Sequence, residues 1–301
     1  MRKFTIVAVA AAFIASVAAC GSSSKTTVSG NATTTTTSGA DLFSKLPTAI
    51  QSSKEIKVGS DIEYAPIEFY KEGTTQTEGV DYDLAQAMGA KLGVKFTFID
   101  DTDFAGIIGA LQAGRFDIIM SAMNDTPARR AKGADFVDYF TAGTSILVQK
   151  GNPKGIKTLD DLCGQTVAVQ KGTVQDTDLL TPQIAKCKST PKPLNVLRFE
   201  KDTDALQQVK NGRAIANLED FPVAAYNAKT SGGGNDFEAV DVPGIGPGNY
   251  GIAVLKNSTA LRDAVQAALK AVIADGTYDQ ILAKWNVTAG SLKTAAINAG
   301  A

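Results

Sequence analysis

The chain has 301 residues, of which 44% are hydrophobic and 20% charged, and its formal net charge is −1. This length can bury a large core divided between two lobes, and the balanced charge argues against the basic face of a nucleic-acid-binding protein. The sequence contains no histidine, which disfavours hydrolase triads and zinc sites because the commonest general base and metal ligand is missing.

The N-terminus is typical of an export signal. Residues 1–19 combine Arg2 and Lys3 with an apolar stretch that is too short for an ordinary membrane-spanning helix. Small residues precede Cys20 in "VAAC", which resembles a bacterial lipobox. In this interpretation the chain is cut before Cys20, and the Cys20 thiol carries a lipid such as palmitate. The alternative is an ordinary secretory signal with an incidental cysteine. Removal of residues 1–19 would leave 28 basic and 31 acidic side chains, a net charge of −3.

A polar segment follows the signal. The stretch "GSSSKTTVSGNATTTTTSGAD", residues 21–41, has almost nothing to bury and is predicted to be a disordered tether. We place the Ser/Thr-rich linker, anchored through Cys20, at residues 20–52, and the folded domain begins at residue 53 in this interpretation.

Short apolar runs and helical patterns alternate from Glu55 onward. In chain order they predict the strand "EIKVGS", the helix "VDYDLAQAMGAKLG" with Gly93 as its stop, the strand "KFTFID", the helix "DFAGIIGALQAG" ending at Gly114, and the strand "RFDIIMS". Asp81 and Asp83 are expected to cap the first of these helices. Such alternation predicts an α/β fold with mainly parallel strand pairing.

The last of these strands leads into "SAMNDTPARR", residues 121–130. Thr126 is predicted to be the N-cap of a helix whose first residue is Pro127. Arg129 and Arg130 then lie in the first turn, although the N-terminus of a helix already has a partial positive charge. A ligand carboxylate bound to Arg129 would make a cation favourable there, whereas Arg130 is expected to be solvated.

The second half of the chain resembles the first. The stretches "GALQAGRFDIIMSAMND" and "DALQQVKNGRAIANLED" share a helix ending, a Gly-Arg stop and an apolar strand, and their stop glycines, Gly114 and Gly212, lie 98 residues apart. This repeat indicates two lobes of similar build. In open α/β sheets, ligands bind at the carboxyl ends of the strands, so the polar residues that follow each strand are candidate ligand-binding residues.

Two strands of the second half end in such polar residues. The strand "TVAVQ" leads into Lys171-Gly172-Thr173 and a helix that starts at about Val174, whose free N–H groups can bind an anion. The strand "AIANL" leads into Glu219 and Asp220. An arginine, helix-start amides and a carboxylate together suit a ligand with one anionic and one cationic group, of which an α-amino acid is the simplest.

Cys163 and Cys187 are the two remaining cysteines, 24 residues apart. In an exported chain they are expected to form a disulfide, which would stabilise the fold by roughly 3 kcal/mol in the chain-entropy model. The alternative is a pair of free buried thiols. A metal-binding pair is disfavoured because no further soft ligand lies near in the sequence.

Six stretches in a fixed order carry a family resemblance, and together they span roughly residues 55–290. They are "GSDIEYAPIEF", "EGVDYDLAQAMGAKLG", "LQAGRFDIIMSAMNDTPARR", "DFVDYF", "GQTVAVQKGTVQ" and "ADGTYDQILAKWNV". The chain resembles the extracytoplasmic amino-acid-binding proteins of ABC importers, solute-binding protein family 3. The resemblance implies a type II periplasmic-binding-protein-like fold, in which two α/β lobes joined by two hinge strands close on the ligand. Lobe 1 would comprise residues 53–143 and 246–290, lobe 2 residues 144–245, and a C-terminal tail residues 291–301.

The resemblance also implies which residues bind the two charged groups of the ligand. Arg129 matches the arginine that pairs with the ligand carboxylate. Thr173 and Val174 match the loop that donates backbone amides to the same carboxylate from the other lobe. Asp220 matches the carboxylate that holds the α-ammonium group, and Glu219 is therefore expected to point away from the cleft.

Five further positions match residues that line the site in this family. Ala122 and Asn124 fall where the family usually has hydroxyl residues, so Ala122 can contribute only its backbone. Tyr64 and Phe104 fall at the positions that enclose the ligand side chain. Asp61 falls where several members contact the polar end of that side chain.

The function implied is the capture of an amino acid outside the membrane by cleft closure and its delivery to the permease subunits of an ABC transporter. The protein would be a monomer, attached to the membrane by the lipid on Cys20, with no cofactor, metal or nucleic acid. Asp61, with Glu63 close in sequence, disfavours an acidic ligand, because an unpaired buried carboxylate repels another. We therefore expect a polar or basic amino acid, with glutamine or arginine ahead of glutamate, unless Lys171 reaches into the site; Lys171 is expected to be solvated.

The alternative function is an enzyme on the same scaffold, similar to dehydratases of cyclic acids or to murein-cleaving enzymes. Glu219 or Glu63 could then supply the acid or base. The presence of Asp220 and the lack of histidine favour the binding protein over the enzyme.

Overall fold

The structure is a computed structural model that describes residues 39–100, 103–240 and 246–301. The predicted signal peptide at 1–19, the lipidation site Cys20 and the linker as far as residue 38 lie outside the described residues. Within the described part of the chain, no helix combines the length and apolar character needed to cross a membrane.

Ten α-helices and thirteen strands make up the described part of the chain. The helices are α1 Gly39–Phe43, α2 Thr48–Ser53, α3 Val80–Leu92, α4 Ile107–Gln112, α5 Pro127–Ala131, α6 Thr181–Lys188, α7 Asp202–Lys210, α8 Phe221–Thr230, α9 Thr259–Ala274 and α10 Thr277–Lys284. The strands are β1 Glu55–Gly59, β2 Glu63–Tyr64, β3 Glu68–Tyr70, β4 Thr77–Glu78, β5 Lys95–Ile99, β6 Ile118–Ile119, β7 Ala134–Ala142, β8 Thr144–Gln149, β9 Thr166–Gln170, β10 Asn195–Phe199, β11 Ala216–Asp220, β12 Phe237–Val240 and β13 Gly248–Leu255.

Two five-stranded sheets form the two lobes. Lobe 1 has the order β5-β1-β6-β13-β7 and lobe 2 the order β10-β9-β11-β8-β12, while β2, β3 and β4 form a small third sheet. In each large sheet the first three strands pair in parallel and the last two are antiparallel to their neighbours. The prediction of two α/β lobes of similar build is confirmed.

The chain passes between the lobes twice. It leaves lobe 1 at the end of β7 and enters lobe 2 with β8 after the single residue Gly143, and it returns between β12 and β13. These strands, which flank the hinge, are the antiparallel ones. The prediction of mainly parallel pairing is therefore wrong for the outer half of each sheet, because strands that run directly from lobe to lobe need no helical crossover.

Each sheet is covered on both faces. In β13 the side chains alternate, so Ile252 and Val254 join one hydrophobic cluster of lobe 1 and Ala253 joins the other. The helices α3 and α9 pack on the first face and α4 on the second. Full burial of a Val or Ile side chain contributes roughly 1.5–3 kcal/mol, so this sheet fixes the positions of the loops that leave its strands.

The start of α3 differs from the prediction. Gly79 is its N-cap residue, with φ of 127°, and a Cβ at Gly79 would lie 2.3 Å from the carbonyl oxygen of Ile67. Only glycine fits at this N-cap position, and no side chain caps the helix. The prediction that Asp81 and Asp83 cap it is therefore wrong. Asp81 is buried and accepts the N–H of Ala122 at 3.2 Å, and Asp83 accepts the indole N–H of Trp285 at 2.7 Å.

The folded domain begins earlier than residue 53. The helices α1 and α2 lie inside the predicted linker, and Leu42, Leu46 and Ile50 are buried in the core of lobe 1. Their spacing of four residues is an apolar pattern that the Ser/Thr-rich composition nearby obscured, and in the structure Leu42 lies in α1, Leu46 in the turn after it and Ile50 in α2. The assignment of residues 39–52 to a linker is therefore wrong.

The C-terminal residues pack against lobe 1. Backbone bridges join Phe140 to Ser291 and Val137 to Ile297, so the tail covers part of β7. Ala295 is buried. Since β7 is the outermost strand of its sheet, the tail satisfies backbone groups that would otherwise form an open sheet edge.

A disulfide joins Cys163 and Cys187, with their Cα atoms 5.3 Å apart. Cys187 belongs to α6, and Cys163 follows a short 3₁₀ helix, Leu159–Leu162. The bond therefore connects two elements on one side of lobe 2. Among the described residues no three Cys, His, Asp or Glu side chains are placed so that they could hold a metal ion.

Candidate ligand-binding cleft

A narrow cavity lies between the two lobes. Its lining residues are Tyr64, Glu68, Phe104, Ser121, Ala122, Asn124, Arg129, Gln170, Thr173, Gln175 and Asp220. Seven of the nine predicted ligand-binding residues belong to this lining. The other two, Asp61 and Val174, lie beside it.

The loop that follows β6 supplies the first charged group. Thr126 is the N-cap of α5, its hydroxyl oxygen accepts the N–H of Arg129 at 3.2 Å, and Pro127 is the first helical residue. This start of the helix is as predicted. The preceding strand is shorter than predicted, because only Ile118 and Ile119 have ladder partners.

Arg129 is buried, with 7% of its surface exposed. Its guanidinium donates to the carbonyl oxygen of Asn124 at 2.9 Å and to that of Gly172, on lobe 2, at 3.1 Å. Burial lowers the pKa of Arg129 to about 10, so the side chain stays charged at neutral pH. Among the described residues, no carboxylate oxygen lies within 4.0 Å of it.

Arg130 differs from the prediction. Its Nη1 lies 2.5 Å from Asp125 Oδ1 and donates to the carbonyl oxygen of Gly300 at 3.0 Å. The side chain is 20% exposed. The expectation that Arg130 is solvated is wrong, because the C-terminal tail folds back over this loop and supplies a second acceptor.

Asp220 is the second buried charged group, and it belongs to lobe 2. It is the last residue of β11, with 4% of its surface exposed. Its oxygens accept from Gln175 Nε2 at 2.9 Å and from the Tyr64 hydroxyl at 3.2 Å. Burial raises the pKa of Asp220 to about 6. No lysine or arginine nitrogen of the described residues lies within 4.0 Å of its carboxylate.

The loop between β9 and α6 faces Arg129 from lobe 2. The hydroxyl of Thr173 donates to the carbonyl oxygen of Gln170 at 2.8 Å and accepts the N–H of Asp176 at 3.3 Å. The predicted α-helix from Val174 is instead a π-helical turn, Gln175–Leu180, that continues into α6. The wider turn places the Gln175 side chain against Asp220.

Ala122 and Asn124 lie where the family usually has hydroxyl residues, and they differ in which of their groups can contact a ligand. Asn124 lines the cavity, and its carbonyl oxygen is held by Arg129. Ala122 lies in the left-handed region, with φ of 45°. Its N–H donates to the buried Asp81, so the backbone contribution expected of Ala122 is already directed away from the cavity.

Two aromatic side chains border the cavity. The Phe104 ring centroid lies 5.2 Å from Cζ of Arg129, a geometry that stabilises the guanidinium. Phe104 also belongs to a core cluster of lobe 1, so it has both a packing and a lining role. The Tyr64 hydroxyl accepts the backbone N–H of Asp220 at 2.9 Å, which joins the two lobes directly.

Asp61 lies beside the cavity and is already paired. Its Oδ1 accepts from Lys201 Nζ and its Oδ2 accepts from Gln170 Nε2 at 2.6 Å, both from lobe 2. Burial raises the pKa of Asp61, and the ion pair with Lys201 offsets part of that increase. Lys201 was not predicted from the sequence. Lys171, the lysine expected near the site, is exposed and pairs with Glu200 at 2.9 Å.

Glu63 joins the lobes at the same end. Its carboxylate accepts the N–H of Asp202 at 2.7 Å and the hydroxyl of Thr203 at 2.6 Å, both at the start of α7. Burial is the largest cause, and the charge of Asp61 the next, of an increase in the pKa of Glu63 to about 7. Neither Glu63 nor Glu219 lines the cavity.

Four lining residues were also missed: Glu68, Ser121, Gln170 and Gln175. The Ser121 hydroxyl donates to Glu68 at 3.0 Å and accepts the N–H of Asp61 at 3.0 Å, so it ties the loop after β6 to both residues. Gln170 ends β9, and Ser121 follows the run that contains β6. The position at the carboxyl end of a strand was the signal that could have identified both.

A larger cavity of about 740 Å³ lies behind the hinge, lined among others by Gly143, Phe221 and Trp285. None of the predicted site residues belongs to its lining, and the lining contains no aspartate or glutamate. It therefore offers no carboxylate for an ammonium group, and the narrow cavity between the lobes is the better candidate.

Comparisons with known proteins agree with this choice. The family described as bacterial extracellular solute-binding proteins, family 3, matches residues 56–288. The arginine-binding protein ArgT of Corynebacterium glutamicum is 33% identical over 260 residues, which is 86% of this chain and 83% of the relative. The histidine-binding periplasmic protein of Escherichia coli K12 is 27% identical over 237 residues, 77% of this chain and 87% of the relative.

Solved structures give the same fold. An ancestral arginine-binding protein bound to arginine has a TM-score of 0.70 and 35% identity, covering 77% of this chain and 98% of that one. The ancestral amino-acid-binding protein AncCDT-1, a precursor of cyclohexadienyl dehydratase, has a TM-score of 0.69 and 38% identity, covering 79% and 97%.

Proposed function

The chain belongs to the bacterial extracellular solute-binding proteins of family 3, and from this we propose that it captures a polar or basic amino acid and delivers it to the permease subunits of an ABC importer. One observation carries the proposal. Arg129 and Asp220 are buried on opposite lobes of one cavity, and among the described residues neither has an oppositely charged side chain within 4.0 Å. An α-amino acid supplies both missing charges.

The remaining groups around the carboxylate follow from that placement. Arg129 pairs with the ligand carboxylate, and the backbone N–H groups of Thr173 and Val174 donate to it from lobe 2. Asn124 supplies a polar side chain at the same end. Ala122 bounds the pocket there without donating its N–H, which Asp81 accepts.

The ammonium end is built around Asp220. Gln175 and Tyr64 hold its two oxygens, so the carboxylate has a fixed position when the ammonium group approaches. Tyr64 and Phe104 enclose the ligand side chain, and Asp61 contacts its polar end. Relatives that bind arginine and histidine support a side chain with nitrogen donors, as does an ancestral arginine-binding protein bound to glutamine.

Capture involves closure of the lobes. Four side chains of lobe 1 form hydrogen bonds with lobe 2 across the cleft: Asp61, Glu63, Tyr64 and Arg129. A ligand shifts the balance between open and closed forms only through its differential affinity for them. Because Arg129 and Asp220 lie on different lobes, only the closed form can hold both ends of an amino acid.

The protein acts outside the cell membrane as a lipid-anchored monomer. Cys20 carries the lipid, and residues 1–19 are the signal peptide. A Cys20→Ser variant is expected to lose incorporation of labelled palmitate and to appear in the medium or soluble fraction, whereas a Cys20→Ser variant that stays with the membrane would contradict the anchor.

An enzymatic role has less support. Glu219 accepts hydrogen bonds from Asn227 and Asn217 inside lobe 2, and Glu63 is held by α7. Neither candidate acid or base reaches the cavity. The similar protein AncCDT-1 is itself named an amino-acid-binding protein, which supports binding as the function of this scaffold. We expect no turnover of cyclic dienyl acids by the purified protein.

A thermal-shift screen of the standard amino acids identifies the ligand, because a molecule that binds only the folded protein raises its stability. Calorimetry then compares that amino acid with its amine, which lacks the carboxylate, and with its N-acetyl derivative, which lacks the ammonium charge. Both analogues should bind at least about 30-fold more weakly. If the amine binds as tightly as the amino acid, the assignment of Arg129 is wrong.

A further inference from the structure

Lys201 reaches from lobe 2 across to Asp61 of lobe 1, beside the cavity, where Asp61 also accepts from the lining residue Gln170. It is the residue before α7, and its Nζ pairs with Asp61 Oδ1 on lobe 1. A second carboxylate, Asp100 Oδ1, lies 3.5 Å from the same nitrogen. The side chain of Lys201 is 33% exposed, while that of Asp61 is only 3% exposed. The ion pair therefore closes over a buried carboxylate and leaves the lysine partly in contact with solvent.

Both oxygens of Asp61 have partners within the protein. Lys201 donates to one and Gln170 donates to the other at 2.6 Å. Burial lowers the pKa of Lys201, but the carboxylates of Asp61, Glu63 and Asp100 together raise it above its ordinary value, so Lys201 remains charged at neutral pH. A ligand group that approaches Asp61 must therefore share this carboxylate with Lys201 or displace the lysine from it.

We propose that Lys201 is a specificity-determining residue of the amino-acid site, which competes with cationic ligand side chains for Asp61 and favours side chains that end in a neutral amide. This inference rests on the proposed function. A carboxamide carries both an acceptor oxygen and an NH₂ donor, so a glutamine side chain can accept from Lys201 and donate to Asp61 at once.

A guanidinium has donors only. An arginine ligand must move Lys201 away from Asp61, and the two cations repel each other at close range. Asp100 makes this displacement possible, because it already lies 3.5 Å from Lys201 Nζ and can retain the lysine after it leaves Asp61. Arginine is thus penalised but not excluded, whereas the carboxylate of a glutamate ligand would add a third negative charge to Asp61 and Asp100, which already share the one cation Lys201.

The test measures dissociation constants for arginine and glutamine by calorimetry in the parent protein and in Lys201→Met, which keeps an unbranched apolar stem and removes the charge. The ratio of the arginine constant to the glutamine constant should fall at least tenfold. Lys201→Arg retains a cation and should keep the ratio within about threefold of the parent. The control is Lys210→Met at the other end of α7, whose lysine pairs with Asp236 at 2.8 Å, and it should leave the ratio unchanged.

A second variant tests the role of Asp100 with the opposite sign. Asp100→Asn removes the acceptor for a displaced Lys201, so arginine should weaken at least threefold relative to glutamine. An unchanged ratio in both Lys201→Met and Asp100→Asn, or an equal change for both ligands, would overturn the inference while leaving the amino-acid site intact. If the parent protein binds no amino acid at all, the proposed function fails and this inference fails with it.

Discussion

The two ends of the cleft are built on different electrostatic principles. The anchor end, formed by Arg129 and Asp220, places buried charges of opposite sign on opposite lobes and holds them with neutral hydrogen-bonding groups. The side-chain end, formed by Asp61, Glu63 and Lys201, pairs its charges across the lobes within the protein itself. Among the described residues, Arg129 and Asp220 have no oppositely charged side chain within 4.0 Å, whereas Asp61 has one in Lys201.

Under the proposed function, this difference separates ligand affinity from ligand specificity. A buried charge without a partner is costly, so a zwitterion that neutralises both anchor charges gains much of its binding free energy there. Every α-amino acid carries that zwitterion, and the anchor end cannot distinguish one from another. Discrimination must come from the side-chain end, where a ligand succeeds or fails by how it replaces existing contacts.

The largest effect is expected from Arg129→Ala. Removal of one partner of a desolvated charge pair costs about 2–5 kcal/mol, which corresponds to roughly 30-fold to several thousand-fold in affinity. Calorimetry should show the same loss for arginine and glutamine, because the anchor end contacts only their common part.

Arg213→Ala, at an exposed arginine of lobe 2, is the control and should bind like the parent. A loss in Arg129→Ala that is large for one amino acid and absent for the other would contradict the division between the two ends.

The anchor end was largely predictable from the sequence. Asp220 and Thr173 follow predicted strands by two and three residues and Arg129 by eight. The family resemblance, confirmed by the match over residues 56–288, predicted their roles, which stay predictions. The two-lobed fold followed from the same alternation of strands and helices. These features depend on local pattern and on strand order, both of which the sequence records.

The side-chain end was not predictable in the same way. Lys201 and Asp61 lie 140 residues apart and on different lobes, so no local pattern connects them. A lysine side chain has many rotamers, and its partner is decided only when the lobes meet. The same reason explains Arg130, whose second partner, Gly300, lies 170 residues away.

The next largest effect is a pH dependence at the anchor end. Burial raises the pKa of Asp220 to about 6, and only the ionised carboxylate attracts the ligand ammonium group. Between pH 7.5 and pH 5 the ionised fraction falls about tenfold, and affinity measured by calorimetry should fall by a similar factor. Asp220→Asn should bind weakly at both pH values and lose this dependence; a parent protein whose affinity is constant over this range would contradict the role of Asp220.

Without added ligand, the contribution of Asp220 to folding stability should decrease as the pH rises, whereas its contribution to ligand affinity increases. Because the pKa of folded Asp220 lies above the ordinary value of 3.8, the folded state binds this proton more tightly than the unfolded chain does. The associated stabilisation is fully present below pH 4 and is lost as the pH rises through about 6. Thermal unfolding should show a smaller decrease in Tm over this range in Asp220→Asn than in the parent.

A smaller and ligand-dependent effect is expected from Asp61→Asn. The change removes the carboxylate that accepts from a guanidinium and also releases Lys201, so the two effects partly cancel. A hydrogen bond to a charged group contributes about 1.5–3 kcal/mol, or roughly 10- to 150-fold, and the release of Lys201 offsets part of this loss. Arginine should therefore weaken about fivefold, while glutamine should change less than about twofold. Competition between the two amino acids measures the difference directly, and an equal loss for both would place Asp61 among the anchoring groups.

The smallest effect is expected from Glu63→Gln, which tests the closing contact at the side-chain end. The Glu63 carboxylate accepts from the first two residues of α7, and an anion at a helix N-terminus contributes about 0.3–1 kcal/mol, or roughly two- to fivefold. Because this contact joins the lobes without lining the cavity, the affinities for arginine and glutamine should fall equally. The fall should come mainly from faster dissociation, measured by stopped flow or surface plasmon resonance.

The pKa of Glu63 is about 7, so the loss of affinity in Glu63→Gln should be larger at pH 8, where the parent carries the charge, than at pH 6. Glu238→Gln is the matched control, since Glu238 accepts a backbone N–H from Gly151 at 3.2 Å within one lobe, and a loss of the same size there would show that the effect does not come from closure.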